Sequence, residues 1–421
     1  MATMRPMKIL LSTPHSGAQT GSGIQIALLG RKLAERGHQV HAAFKRKLEH
    51  DRFPPTLLRV SEGGVNLLRV PYAKLKHFFV LPTLSELRDF IADQEFDIIH
   101  LFAGMDFDFF FLLSFLDPTG ALLVNRGTCV PLDIFNSIKY RSRRVSRILA
   151  VSEAVRDTMI ASGRVPPGKI EVVYSSVDLD LFDPGIDGRE ARSELGLAMD
   201  VPVIGTVGSL HFEPGHLKGG MELLQTARLI LREHPRVIFL LVGGIDRSLF
   251  DRAAGDLAPH FRLTGFRQDV PRMLAACDLT LSPSIRAEGL TGVIRESLAM
   301  KRPVVATDVG GNREVVLHER TGLLVPPRDP EAMAAAALAL LRAPELRERL
   351  AQAGRTLVEE MFSIQRRVDR IEQIYGQAVA EKSAAKNSRR RRRPGRPLSS
   401  YKYLAFGGPE GLLSPDPSPL L

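Results

Sequence analysis

At 421 residues the chain is too long for one ordinary core, so two domains are expected. With 44% hydrophobic and 25% charged residues it is globular in composition, and its two cysteines exclude a disulfide scaffold and form no metal-site pattern. The net charge of +10 is unevenly placed: residues 382–421 hold nine Lys or Arg against two acids, which leaves the preceding 381 residues near +3 and argues against a nucleic-acid-binding body.

The start, MATMRPMKILLSTPH, has no apolar leader segment and passes straight into a strand-like KILLS, so no signal peptide is expected. SGAQTGSG (16–23) is a glycine-rich turn, and the following IQIALLGRKLAERGHQV holds a helix that stops at Gly37. HQVHAAF, FDIIHLF, ALLVNRG, RILAVS and KIEVVYSS continue a strand–helix alternation. FDFFFLLSFL (107–116) is the longest apolar run. It is about half the length that a membrane-spanning helix needs and contains Asp108, so it is expected to be a buried helix, with a membrane-dipping surface as the alternative. FNSIKYRSRRVSRIL (135–149) carries Lys139, Arg141, Arg143, Arg144 and Arg147, a basic stretch suited to anionic lipid headgroups or simply a solvated face.

An Asp- and Gly-rich stretch (178–200) is the expected linker. The alternation then restarts with VPVIGTVGSL, VIFLLVGG, FRLTGF, DLTLSPS and PVVAT. Two doubly wound parallel α/β domains in series are indicated, with ligands beyond the carboxyl ends of the strands and in the cleft between domains. FSIQRRVDRIEQIYGQAVAEK (362–382) departs from that tandem, being a long amphipathic helix. Residues 383–421, rich in Arg, Pro and Gly, are expected to be disordered.

Three loops of the second half carry chemistry. Lys218 stands just before a helix start, where free N–H groups and the positive dipole end favour an anion. In RAEGLTGVIRESLAM (286–300), Gly289, Leu290 and Thr291 present N–H groups at another helix start. Glu288 and Glu296, one before it and one a turn inside, suit the hydroxyls of a donor sugar and of a ribose. The bland alternative is a pair of solvated or capping acids. DVGGNREVV repeats the pattern with Gly310 and Gly311.

These pieces in this order resemble the family 4 glycosyltransferases of the GT-B fold. Two glutamates with seven residues between them stand as Glu288-GLTGVIR-Glu296, and Lys218-Gly219 matches the phosphate lysine. GFRQDVPRMLAACDLTLSPS, RPVVATDVGGNREVV and TGLLVPPRD match the flanking text. The resemblance implies an acceptor domain over 1–185, a nucleotide-sugar domain over 186–361, and helix 362–382 returning to brace the first. It also implies that Lys218 holds the diphosphate, that Gly265, Phe266 and Arg267 meet the base, and that Gly21, Ser22 and Gly23 approach the phosphates from the opposite domain. The reaction would retain anomeric configuration and need no metal and no cofactor.

Two departures concern the phosphates. Ser209 stands where the family often has an arginine, and Arg126 falls near its usual histidine, placed to meet the diphosphate or an acidic acceptor. The expected partners are a nucleotide sugar, a glycan or lipid-linked acceptor such as a lipopolysaccharide intermediate, and an anionic membrane surface, with no nucleic acid. The expected location is the cytoplasm, peripheral on the inner face of the membrane. The competing readings are a sugar-nucleotide isomerase of the 2-epimerase kind on the same fold, and a nucleic-acid binder led by the Arg tail.

Overall fold

The computed structural model describes residues 5–17, 21–45, 60–70, 80–102, 104–116 and 120–392. Residues 18–20 of the first glycine-rich turn, and the tail from 393 onward, lie outside these. The strands are short and buried on both faces: Ile98–Leu101, Leu279–Ser282 and Val304–Thr307 are buried at every position. Strands of that kind pair in parallel with helices covering each face.

The first sheet has seven strands: β1 (Lys8–Ser12), β2 (Gln39–Lys45), β3 (Val65–Val70), β4 (Ile98–Leu101), β5 (Ala121–Arg126), β6 (Val145–Ala150) and β7 (Ile170–Val172). Their order is β3-β2-β1-β4-β5-β6-β7, and every pairing is parallel. The second sheet holds β8 (Val203–Val207), β9 (Ile238–Val242), β10 (Phe261–Leu263), β11 (Leu279–Ser282), β12 (Val304–Thr307) and β13 (Leu323–Val325). Its order is β10-β9-β8-β11-β12-β13, again all parallel. The strand order reverses between β1 and β4 in one sheet and between β8 and β11 in the other. Those are the points where doubly wound sheets open a crevice for ligand.

The expected linker is partly helical (Arg189–Glu194) and packs beneath the second sheet through Ala191 and Leu197. The long C-terminal helix runs from Ile364 to Arg392, ten residues beyond the expected end. Ala, Glu, Lys and Arg are good helix formers, and no breaker intervenes before Pro394, so the helix carries into the Arg run. Ile364, Val368, Ile371, Ile374, Tyr375 and Ala378 of this helix join the core of the first sheet beside Ile9, Leu11, Leu29 and Phe44. The chain thus passes between the sheets twice. The two passages touch, with the Val177 N–H donating to the Phe362 carbonyl at 3.0 Å and the Tyr174 and Phe362 rings edge-on at 5.1 Å.

FDFFFLLSFL lies within a helix, Met105–Leu116, with Phe107, Phe109, Phe110 and Leu113 buried and Leu112 and Phe115 partly open. Among the described residues no helix is long and apolar enough to cross a membrane.

Candidate functional site

The site forms at the two strand ends flanking the switch point of the second sheet. After β8 the chain loops to Lys218 and Gly219, and Gly219 precedes the helix Gly220–Glu233 in a left-handed conformation (φ +67°). A Cβ on Gly219 would lie 1.9 Å from the Pro283 carbonyl oxygen, so only glycine lets this loop lie against the one after β11. The Ile285 N–H to Leu217 carbonyl bond, at 2.8 Å, locks the two loops together.

That contact delivers Lys218 to Glu288. The Lys218 ammonium donates to Glu288 Oε1 at 2.6 Å, and the Ser284 hydroxyl donates to the same oxygen at 2.8 Å. Glu288 Oε2 makes no hydrogen bond among the described residues. The glutamate is largely enclosed and the lysine is open, at 13% and 43% exposure. Sequence reading placed these two in one site but did not foresee that they pair, and it missed Ser284.

The next residues start the helix Gly292–Ala299. Thr291 is its N-cap, yet the Thr291 hydroxyl does not cap it: it donates to Asn312 Oδ1 at 2.7 Å. The first turn has no acid, so its free N–H groups remain available to an anion. Glu296 lies one turn in and half-buried, with Oε1 3.6 Å from the Cβ position of Gly292. Burial raises its carboxyl above the usual range, and the neighbouring Arg295 partly offsets this.

Gly310 and Gly311 serve a different purpose from a third anion cradle. They begin a 3₁₀ turn, Gly310–Glu314, and the Gly311 N–H is already taken by the Gly289 carbonyl at 3.1 Å. A Cβ on Gly310 would lie 1.6 Å from the Glu288 carbonyl oxygen. The glycines provide clearance for the Glu288–Gly289 backbone.

Across the cleft the first domain meets this loop. Thr128 bridges to Glu288, and the Ser152 hydroxyl donates to the Gly289 carbonyl at 2.7 Å. The Glu314 carboxylate accepts from the N–H groups of Glu153 and Ala154 at 2.8 and 2.9 Å, closing the start of the helix Glu153–Gly163. Arg126, at the end of β5, therefore lies two residues from the bridge to Glu288. Its guanidinium donates to the Val130 carbonyl at 2.6 Å and hydrogen-bonds Tyr140.

Gly21, Ser22 and Gly23 open the helix Gly21–Glu35, and among the described residues nothing lies within 4 Å of a Cβ built on Gly21. Ser209 is exposed beyond β8. In the proposed base loop, Gly265 takes φ +69° and the Phe266 ring is half-exposed. The Arg267 guanidinium is held by Asp269 and Glu194, both at 2.7 Å, which leaves Phe266 as the open group there.

Asp106 is fully buried at the start of its helix, and burial pushes its carboxyl up to about 7 against hydrogen bonds from the Phe107 N–H and Ser12. Asp178 pairs with Arg31 at 2.7 Å. Among the described residues no three His, Cys, Asp or Glu side chains gather to hold a metal ion.

Three of the five basic residues of this stretch have partners within the fold. Lys139 pairs with Asp108, Arg144 reaches the Ser114 carbonyl and covers the Phe115 ring at 3.8 Å, and Arg147 lies 3.9 Å from Glu171. The helix Ile134–Arg141 instead exposes an apolar face: Ile134, Phe135 and Ile138 are 71%, 76% and 58% open, beside exposed Arg141 and Arg143.

Comparison with known proteins follows this geometry. A family model described as Glycosyltransferase Family 4 matches residues 20–181, and one described as Glycosyl transferases group 1 matches 201–343. The chain is 30% identical over 245 residues to an alpha-D-kanosaminyltransferase of Streptomyces kanamyceticus, covering 56% of this chain and 62% of that one. The match thus spans less than two thirds of that relative's length. It is 27% identical over 359 residues to a phosphatidyl-myo-inositol mannosyltransferase of Mycolicibacterium smegmatis, covering 81% and 86%. Its fold is similar to that of Anabaena HepE in complex with UDP, with a TM-score of 0.71, 20% identity, and 88% of this chain and all of that one covered.

Proposed function

The chain belongs to the family 4, group 1 glycosyltransferases, and we propose that it moves a sugar from a nucleotide-sugar donor to a glycan or lipid-linked acceptor with retention of configuration. The observation that carries this reading is the Lys218–Glu288 pair beside an uncapped helix start. A diphosphate there would draw the Lys218 ammonium and meet the free N–H groups from Gly292 inward. Glu288, released from the lysine, would accept from a sugar hydroxyl, and Glu296 from the ribose.

When the bond from the sugar carbon to the phosphate oxygen breaks, negative charge grows on the departing diphosphate. A fixed cation and fixed N–H dipoles stabilise that charge without reorganising. Holding the acceptor hydroxyl near the sugar supplies the remaining acceleration. No metal is required in this scheme.

The exposed apolar face of Ile134, Phe135 and Ile138, with Arg141 and Arg143 beside it, supports attachment to the inner membrane face, where a lipid-linked acceptor of lipopolysaccharide or another surface polysaccharide would be met. The first test is release of nucleotide from UDP-, GDP- and ADP-sugars without acceptor, UDP being the nucleotide bound by HepE. The proposal expects hydrolysis of one of them, unchanged by EDTA, with NMR showing the retained anomer in transfer. If none is bound or hydrolysed, the donor reading fails.

A further inference from the structure

Two buried arginines have no part in the site described so far. Arg295 is on the helix Gly292–Ala299 and Arg367 on the helix Ile364–Arg392, and each is 4% exposed. Arg295 folds back to donate to the carbonyls of Leu290 and Thr291 at 3.1 and 3.4 Å. Arg367 donates to Gln25 Oε1. Neither makes an ion pair among the described residues, and the Nε of each is buried without a partner. The two charges are close enough for Arg295 to disfavour the charged form of Arg367. Burial pushes both guanidinium groups down to about 10, so both remain charged at neutral pH.

Buried charge without a counter-charge costs several kcal/mol, and proteins normally pair it. Here two like charges share one region, with Glu296 as the acid acting on Arg295. The surroundings are polar and incomplete. Gln25, the fifth residue of the helix Gly21–Glu35, clamps the Ser176 backbone through both ends of its amide, at 2.9 and 3.1 Å. The hydroxyls of Ser22 and Ser176 are buried and have no partner among the described residues. His100, beside Arg367, is held neutral by burial and leaves Nε2 unpartnered.

The position is specific. Arg367 reaches the helix Gly21–Glu35 one turn from its start, through Gln25. Arg295 Nη2 lies 3.9 Å from the Cβ position of Gly292, where Glu296 Oε1 is 3.6 Å away. The pair therefore bridges the starts of two helices from opposite domains, each of which favours an anion at that end.

We propose that Arg295 and Arg367, with the partnerless hydroxyls of Ser22 and Ser176, form an anion subsite between the two helix starts that takes a phosphate group. Its natural occupant is the diphosphate of the nucleotide donor. That assignment rests on the function proposed above, whereas the subsite itself does not. In this arrangement the two arginines supply the positive charge that exposed Ser209 does not.

The test uses the full chain and titration calorimetry with inorganic pyrophosphate, and with UDP, GDP and ADP beside their monophosphates. Arg295→Met and Arg367→Met are expected to weaken pyrophosphate at least tenfold, and to lower the preference for nucleoside diphosphate over monophosphate by a similar factor. Unchanged pyrophosphate affinity in both folded variants overturns the subsite. Loss of pyrophosphate binding in the variants, with no nucleoside diphosphate bound by the parent protein, keeps the subsite but gives its phosphate another source, an acceptor or the free anion. Should the methionine variants not fold, Lys218→Ala decides. Pyrophosphate still raises its Tm if the arginines hold the anion, and the absence of any rise overturns the proposal.

Discussion

The Ser152 hydroxyl donates to the Gly289 carbonyl at 2.7 Å while accepting from the Val155 N–H at 3.2 Å. One side chain thus caps a helix of the first domain and holds the loop of the second that carries Glu288. Ser152→Ala removes both bonds. The expected cost is about 1–2 kcal/mol of stability, with faster hydrogen exchange at 288–291 as the more telling readout. Exchange unchanged in that loop would mean that other contacts, such as those of Glu314, hold it alone.

Lys218→Ala removes the cation placed for the departing diphosphate, and Glu288→Gln removes a charge-assisted acceptor. Each is expected to lower kcat by about 10²–10³-fold. The two should not add fully, since the partners are bonded at 2.6 Å and each single change already frees the other. Near-normal turnover in both variants would remove them from the chemistry.

Asp106 predicts a pH effect on stability. In the fold its carboxyl keeps a proton up to about pH 7, whereas the unfolded chain releases it near 3.8. The folded state binds the proton more tightly, so this group's contribution declines as pH rises from near 3.8 to about 7 and is level above. Asp106→Asn imitates the protonated form. Denaturant melts should show a flatter profile across that window and a gain on the order of a few kcal/mol at pH 8. A parallel profile in the two proteins would contradict the burial argument.

Phe135→Asp with Ile138→Asp tests the exposed helix face. Both side chains are more than half open, and neither belongs to the buried core, so folding should survive. Co-sedimentation with liposomes containing anionic lipid is expected to drop severalfold. Equal binding of parent and variant would remove the membrane role of this face.

The alternation of strands and helices was legible because both-face burial forces continuous apolar runs. β3 (VNLLRV) escaped because only its end residues are buried and its middle carries Asn66 and Arg69. β13 is three residues long, too short to show a pattern. Lys218, Glu288 and Glu296 were legible by type and order. Gly310 and Gly311 misled because strand–Gly–Gly–turn is the same text for an anion cradle and for backbone clearance, and only the Glu288 carbonyl nearby decides. The pairing of Lys139 was not legible, because a sequence displays charges without their partners: Asp108 lies 31 residues away. Arg295 and Arg367 gave no signal at all, being 72 positions apart on helices that each look amphipathic or motif-bound.

The touching passages of Val177 and Phe362 constrain how the molecule can move. Two connections set far apart would pin the sheets against each other, and a single strand would let them twist freely. Laid side by side and hydrogen-bonded, they act as a two-ply spine that joins the halves along one line. Lys218 and Glu288 ride on one half, Arg126 and Gln25 on the other, and Arg367 grows out of the spine itself.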